Sequence, residues 1–242
     1  MALVIAVYFS YVGGRFFHAF LDATSMGTIK YSLGFLKLLE YLFNPYASGG
    51  LMFYGSLIGA LFGVFLTYPI FKKREVEYLR CFDMFIICFV FSAIFTRMDD
   101  LRIGCSFGFP FESSFSLVYP ARSAAARQLA QRGIIKAGMP TPPLFPTQVL
   151  IVIAKIIIFF TLLLKSFKDK KKVPLNYVAL FFLIYGPYRF CIDFLRFDRA
   201  EYFLGITVSQ WLSLFFFVLS LLYYKFLYKK LEKKYCLKEG TK

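Results

Sequence analysis

YGPYRFCIDFLRFDR, residues Tyr185 to Arg199, sits between an apolar run from Val178 to Ile184 and a second from Val208 to Tyr224. Arg189, Asp193 and Arg196 stand within it at i, i+4 and i+7. On a helix those spacings put all three side chains on one face, with Asp193 in reach of either arginine. Charged groups at the edge of hydrocarbon are costly, so they pair, face a polar cavity or bind something charged. Two arginines against one carboxylate leave a positive charge over, which an anion would balance. The plainer alternative is a structural ion-pair network at a helix bend after Gly186-Pro187.

The apolar flanks are representative of the chain. Of its 242 residues 59% are hydrophobic and 21% aromatic, and the mean hydropathy is +0.62. Soluble domains are less apolar and more charged, and several runs approach the roughly 20 residues a bilayer-crossing helix needs. The expected fold class is all-α, a polytopic helical membrane protein forming a single membrane domain over residues 1–242. The formal net charge is +15, from 29 Lys+Arg against 14 Asp+Glu. Most lysines fall in short breaks between apolar runs, as in the positive-inside pattern, and suit anionic lipid headgroups. Nucleic acid is therefore not expected as a partner.

Outward from the opening stretch, the spans arrange themselves around those basic breaks. Met1 to Val12 reads as a short first span continuing through Arg15 and His18, and an amphipathic helix is expected around Tyr31 to Phe43. Gly49 to Phe71 is the clearest span. In it Gly55, Gly59 and Gly63 recur every four residues beside Ser56, a stripe that admits a helix or a lipid close to the backbone. Lys72, Lys73, Arg74 and Arg80 mark an inner loop, and Cys81 to Thr96 crosses back. Arg97 to Pro146 is a polar extracytoplasmic insertion with a short helix within Ala121 to Gln131. Thr147 to Leu164 returns, with Lys155 near its centre, to the basic loop Lys165 to Lys172. Val173 to Arg189 goes out and Thr207 to Tyr228 comes back to a lysine-rich tail. The result is about six transmembrane helices with both termini cytoplasmic.

Cys81, Cys88, Cys105, Cys191 and Cys236 form no CxxC pair and are odd in number. They indicate neither a disulfide framework nor a zinc site. His18 is the only histidine, which excludes a two-histidine metal site; it reads as a helix-packing residue. Cys105 reads as a small packing residue. Lys155 stays open between snorkelling, a lipid phosphate and a carboxylate on a neighbouring span.

Four places combine polar chemistry with membrane depth: Gly49–Gly55, Asp99–Cys105, Phe145–Gln148, and Tyr185–Arg199 with Ser209-Gln210-Trp211. On this topology they share the outer edge, as the parts of one site would. Here the chain resembles the phosphatidylglycerol–prolipoprotein diacylglyceryl transferase family. GGLMFYGSLIGA is similar to the family's GGLxF[HY]GGLIG, LRIGC to GRIGxF, and FPTQ to HPxQLYE. YGPYRFCIDFLR is similar to YGxxRFxxExxR, and SQWLSL to GQxLSL, all in order from about Gly14 to Leu214.

That resemblance implies transfer of diacylglyceryl from phosphatidylglycerol to the lipobox cysteine of a prolipoprotein, in a bacterial inner membrane and without metal or organic cofactor. It implies Arg102 and Arg189 as catalytic cations on the phosphate, with Tyr54 orienting the phosphate or relaying a proton. Asp193 would orient Arg189, and Arg196, Gln148 and Gln210 would line the headgroup site with Gly49, Gly50, Gly55 and Gly104. The chain departs from the pattern at Ser56, Leu101, Phe145 and Leu150-Ile151, and the resemblance implies that Met1–Gly14 aligns with the family's second transmembrane segment, so that a counterpart of the first is expected to be missing from this sequence. The alternative is a non-catalytic paralogue that binds phospholipid or serves as a scaffold subunit.

Overall fold

The computed structural model describes residues 2–25, 53–71, 75–169, 173–199 and 204–236. They fold into helices α1 (Ala2–Ser25), α2 (Phe53–Leu66), α3 (Tyr68–Phe71), α4 (Glu75–Ile103), α5 (Ala124–Gln131), α6 (Thr147–Lys168), α7 (Asn176–Ile192), α8 (Val208–Leu222) and α9 (Tyr228–Cys236). A 3-10 turn, Asp193–Leu195, follows α7, and a wider π turn, Tyr223–Leu227, joins α8 to α9. Among the described residues four segments are long and apolar enough to cross a membrane: Tyr78–Ile103, Thr147–Lys168, Asn176–Leu195 and Val208–Lys234. Val4–Phe17 and Tyr54–Leu66 are shorter apolar helices. Ile157, Phe160, Phe215 and Phe226 stand exposed on the long helices, which suits hydrocarbon as the surrounding solvent. The protein is a helical membrane protein. The helix expected at Tyr31 to Phe43 lies outside the described residues.

The chain divides into two compact units, Met1–Phe85 and Ile86–Lys242. In the first, the glycine stripe of α2 packs on α1. A Cβ on Gly59 would come within 2.1 Å of the Phe9 carbonyl oxygen, and one on Gly55 within 2.6 Å of the Gly13 carbonyl. Gly63 meets Ala6 in the same way. The backbones touch because these positions carry no side chain. Gly13-Gly14 does not interrupt α1, which runs through both. Pro69 accompanies the break after Leu66, where Thr67 Oγ1 and Tyr78 Oη both donate to the Val64 carbonyl, at 2.6 and 3.1 Å.

The second unit carries the site. Helix α4 continues through Arg97 to Ile103, so the polar residues 97–103 belong to a helix rather than to the loop the sequence suggested. The Arg97–Asp100 ion pair, one turn apart, lets the helix carry charge there. Helix α7 packs along α8, where Gly186 meets Phe217 and the Ser213 carbonyl and Phe182 stacks on Phe216. The insertion has its own small core of Phe107, Tyr119, Ala125, Leu129 and Leu144. Ser123 caps α5, accepting from the Ala126 N–H. At the opposite end of these spans Tyr223 donates to the Pro174 carbonyl at 2.7 Å and Tyr224 to Asn176 Oδ1 at 3.1 Å.

Candidate functional site

The site is built where α4 ends, α6 begins, α7 ends and α8 begins. Asp193 lies at its centre, 1% exposed. One oxygen, Oδ1, takes Arg189 at 3.0 Å and Arg196 at 3.1 Å. The other, Oδ2, accepts from the Thr207 hydroxyl at 3.1 Å. Thr207 also caps α8 in a reciprocal box with Gln210, which ties the carboxylate to that helix's first turn.

The expected helical face does not carry Arg196. The α-helix stops at Ile192, and after one 3-10 turn Arg196 is extended, at φ −85° and ψ 128°. It still reaches Asp193, now across the turn. There it also grips Asp198 through two bonds, Nε to Oδ1 at 3.0 Å and Nη2 to Oδ2 at 3.2 Å. Burial disfavours the Arg196 cation, but Asp198 and Asp193 together outweigh that and hold it more firmly protonated than a free arginine. Arg189, Asp193, Arg196 and Asp198 thus balance two charges against two. Within these four residues Asp198 balances the positive charge that the trio alone leaves over.

The same network pins the loop after α4. Gly104 ends the helix with φ +85°, and Ser106 follows with φ +59°, conformations that turn the chain back on itself. The Ser106 N–H then donates to Asp198 Oδ2 at 2.9 Å. Its hydroxyl accepts from Arg97 Nη1 at 3.3 Å and its carbonyl from the Thr147 hydroxyl at 2.6 Å. Gln148 donates to the Cys105 carbonyl at 2.9 Å, and Gln210 to the Phe190 carbonyl at 3.0 Å. Both amides are therefore engaged with backbone and position the ends of α4 and α7. Burial, then Asp100 and Asp198, push the Cys105 thiol up, which keeps it protonated and suits a packing residue.

Deeper in the unit, Lys155 is buried on the inward face of α6 with Gln148, Ile151, Ile158 and Leu162. Its Nζ donates to the Ala93 carbonyl at 3.2 Å, one turn below Arg97. Arg97, Arg189 and Asp100 are its charged neighbours. Two buried donor atoms beside this cluster, Arg97 Nε and the Tyr188 hydroxyl, have no hydrogen-bond partner among the described residues. Unsatisfied donors at a cationic cluster fit an anionic ligand.

Arg102 is exposed on the last turn of α4 and makes none of these contacts. Five residues from Arg97, it lies on a different flank of the helix. Tyr54 is buried in the first unit, Gly55 is used for packing against Gly13, and Gly49 and Gly50 lie outside the described residues. Sequence reasoning missed Asp198, Thr207, Arg97 and Tyr188. The i, i+3 spacing of Arg97 and Asp100 at a span's end was a usable signal, whereas Asp198 depends on a turn that spacing does not show.

A helical membrane protein with a buried, charge-paired cluster at one end of its spans defines the class. Within it the chain belongs to the prolipoprotein diacylglyceryl transferase family, whose profile matches residues 1–226. It is 28% identical over 175 residues to phosphatidylglycerol–prolipoprotein diacylglyceryl transferase 2 of Clostridium perfringens, covering 72% of this chain and 61% of that protein. It is 23% identical over 218 residues to the phosphatidylglycerol–prolipoprotein diacylglyceryl transferase of Clostridium tetani, covering 90% and 76%. The corresponding Wigglesworthia glossinidia protein is 26% identical over 191 residues, covering 74% and 66%. The match thus spans about six-tenths of the first relative's length and about three-quarters of the second's.

Proposed function

We propose that the protein transfers diacylglyceryl from phosphatidylglycerol to the cysteine thiol of a prolipoprotein. The C–S thioether bond forms as the C–O bond to phosphate breaks. The electron pair leaves with glycerol phosphate, and the thiol proton passes to a base or to the leaving group. The observation that carries this reading is Arg189, a nearly buried guanidinium held by Asp193 at the end of the spans. Such a fixed cation, in a site with little water, stabilises charge developing on a phosphate oxygen. Arg97 Nε and the Tyr188 hydroxyl supply further donors to the same phosphate. Arg102, exposed beside this end, takes the headgroup as it enters.

Membership of the family supports the reaction, and the lysine-rich breaks support its orientation. With those breaks cytoplasmic, the protein crosses a bacterial inner membrane about six times as one membrane domain. Both termini are then inside, and the insertion and the site face outward. The test is purified protein in lipid with phosphatidylglycerol and a lipobox peptide, following glycerol phosphate release and thioether formation. Release that disappears in Arg189→Ala supports the transferase. Bound phospholipid with no release from the unsubstituted protein overturns it in favour of a lipid-binding paralogue.

A further inference from the structure

The insertion holds a feature the transferase chemistry does not use. Gly108 to Phe111 runs beside Pro143 to Phe145, with Phe145 N–H to the Phe109 carbonyl and Phe111 N–H to the Pro143 carbonyl, both 2.9 Å. Leu117 and Leu144 exchange both backbone bonds at 2.9 Å. These pairings leave residues 112–116 as a projecting tip. The tip is fixed: Ser116 N–H donates to the Ser113 carbonyl at 3.0 Å, the Ser116 hydroxyl to the Phe111 carbonyl at 2.5 Å, and Ser113 N–H to the Ser116 hydroxyl at 2.9 Å. Held out by that turn is Phe115, 81% exposed, with Val118 60% exposed behind it. A turn facing water ordinarily carries Gly, Asn, Asp or Ser at such a place, and here serines form the frame while a phenylalanine is presented.

The tip's level follows from its ring contacts. Phe111 packs edge-on against Phe145, two residues before α6 begins, with centroids 5.6 Å apart. Phe109 packs on Phe197, just beyond the turn that ends α7, at 5.2 Å. Both are half-exposed, as are Ile103, Phe194 and Leu195 at the span ends. Exposed apolar side chains thus occur both at the span ends and on the insertion that carries the tip. Between Gly104 and Pro146 the only acidic residue is Glu112, against Arg122, Arg127, Arg132 and Lys136, all exposed. An apolar tip on a basic module at the membrane edge matches an anionic headgroup layer.

We propose that the Ser113–Ser116 turn is an interfacial anchor, with Phe115 inserted among the headgroups of an anionic leaflet at the site's end of the spans. This goes beyond the transferase reading and rests only on the membrane fold. The experiment places Phe115→Trp in a Trp211→Phe background, which leaves a single indole, and reconstitutes the full chain in vesicles of phosphatidylglycerol and phosphatidylcholine. Bromines on the upper acyl carbons should quench the emission several-fold more strongly than aqueous iodide does. Strong iodide quenching without bromolipid quenching overturns the anchor. Quenching by bromolipid that is absent until an apolar signal-peptide analogue is added also overturns it, and assigns the tip to the peptide. The unsubstituted protein gives an independent check by amide exchange. Residues 109–118 should exchange more slowly in anionic nanodiscs than in detergent, and equal rates overturn the proposal.

Discussion

Asp198 receives Arg196 through two parallel bonds, at 3.0 and 3.2 Å, while its Oδ2 also accepts the Ser106 N–H at 2.9 Å. One carboxylate therefore joins the loop after α4 to the segment after α7. Removing it leaves the Arg196 cation with Asp193 alone and the Ser106 N–H without an acceptor. Breaking a buried pair from one side costs about 3 kcal/mol. Asp198→Ala should lower the thermal midpoint markedly, measured in detergent at constant lipid content. A midpoint within error of the unsubstituted protein would show that the clamp is not structural.

Arg189 and Arg102 should separate by the quantity they change. Arg189 is held against Asp193, so Arg189→Lys keeps the charge but loses the planar fork that addresses carboxylate and phosphate together. Glycerol phosphate release should fall roughly 100-fold in Arg189→Lys, mostly in kcat. Arg102 is exposed and outside the network, so Arg102→Ala should leave the thermal midpoint unchanged and raise KM for the lipid. A loss of kcat in Arg102→Ala with KM unchanged would instead place that arginine at the reacting phosphate.

The parts of this site legible in the sequence are those set by helical spacing. Arg189 and Asp193 are one turn apart, and the structure pairs them as i, i+4 demands. Arg196 misled because regular spacing assumes the helix continues, whereas α7 gives way to a 3-10 turn at Asp193. Asp198 was invisible for the same reason: its partner comes within reach only when the chain is extended. The glycine stripe announced close packing, but its partner, α1, is not written in the stripe itself. Gln148 and Gln210 stood out as polar residues at span ends. That their amides serve backbone carbonyls depends on loops whose course needs the positive φ values of Gly104 and Ser106.

The stripe itself predicts a sharp size limit. A Cβ on Gly59 would sit 2.1 Å from the Phe9 carbonyl and 3.0 Å from the Gly13 Cα, both backbone atoms that no side-chain rotation can move aside. Helices α1 and α2 would have to separate. Gly59→Ala should destabilise the protein by about 1–3 kcal/mol, and Gly59→Val by more. Thermal unfolding in a fixed detergent reads this directly, and an Ala variant as stable as the original would refute the close approach of the two backbones.

Tyr119 offers a test at high pH, outside the spans. Its ring is buried in the insertion's core and its hydroxyl has no hydrogen-bond partner among the described residues. Burial, and to a lesser degree Cys105, push the phenol up to about 12, from an ordinary value of 10.0. Between those values the folded protein keeps a proton that the unfolded chain has released, so stability falls as pH rises. The contribution is complete below pH 10 and is lost as pH climbs through about 12. Tyr119→Phe removes the titrating group while retaining the ring that packs on Gly104. Its thermal midpoint should match the unsubstituted protein at pH 8 and decline less steeply between pH 10 and 12. Parallel curves for the two proteins across that window would mean the phenol is hydrated in solution and the insertion's core more open than its packing indicates.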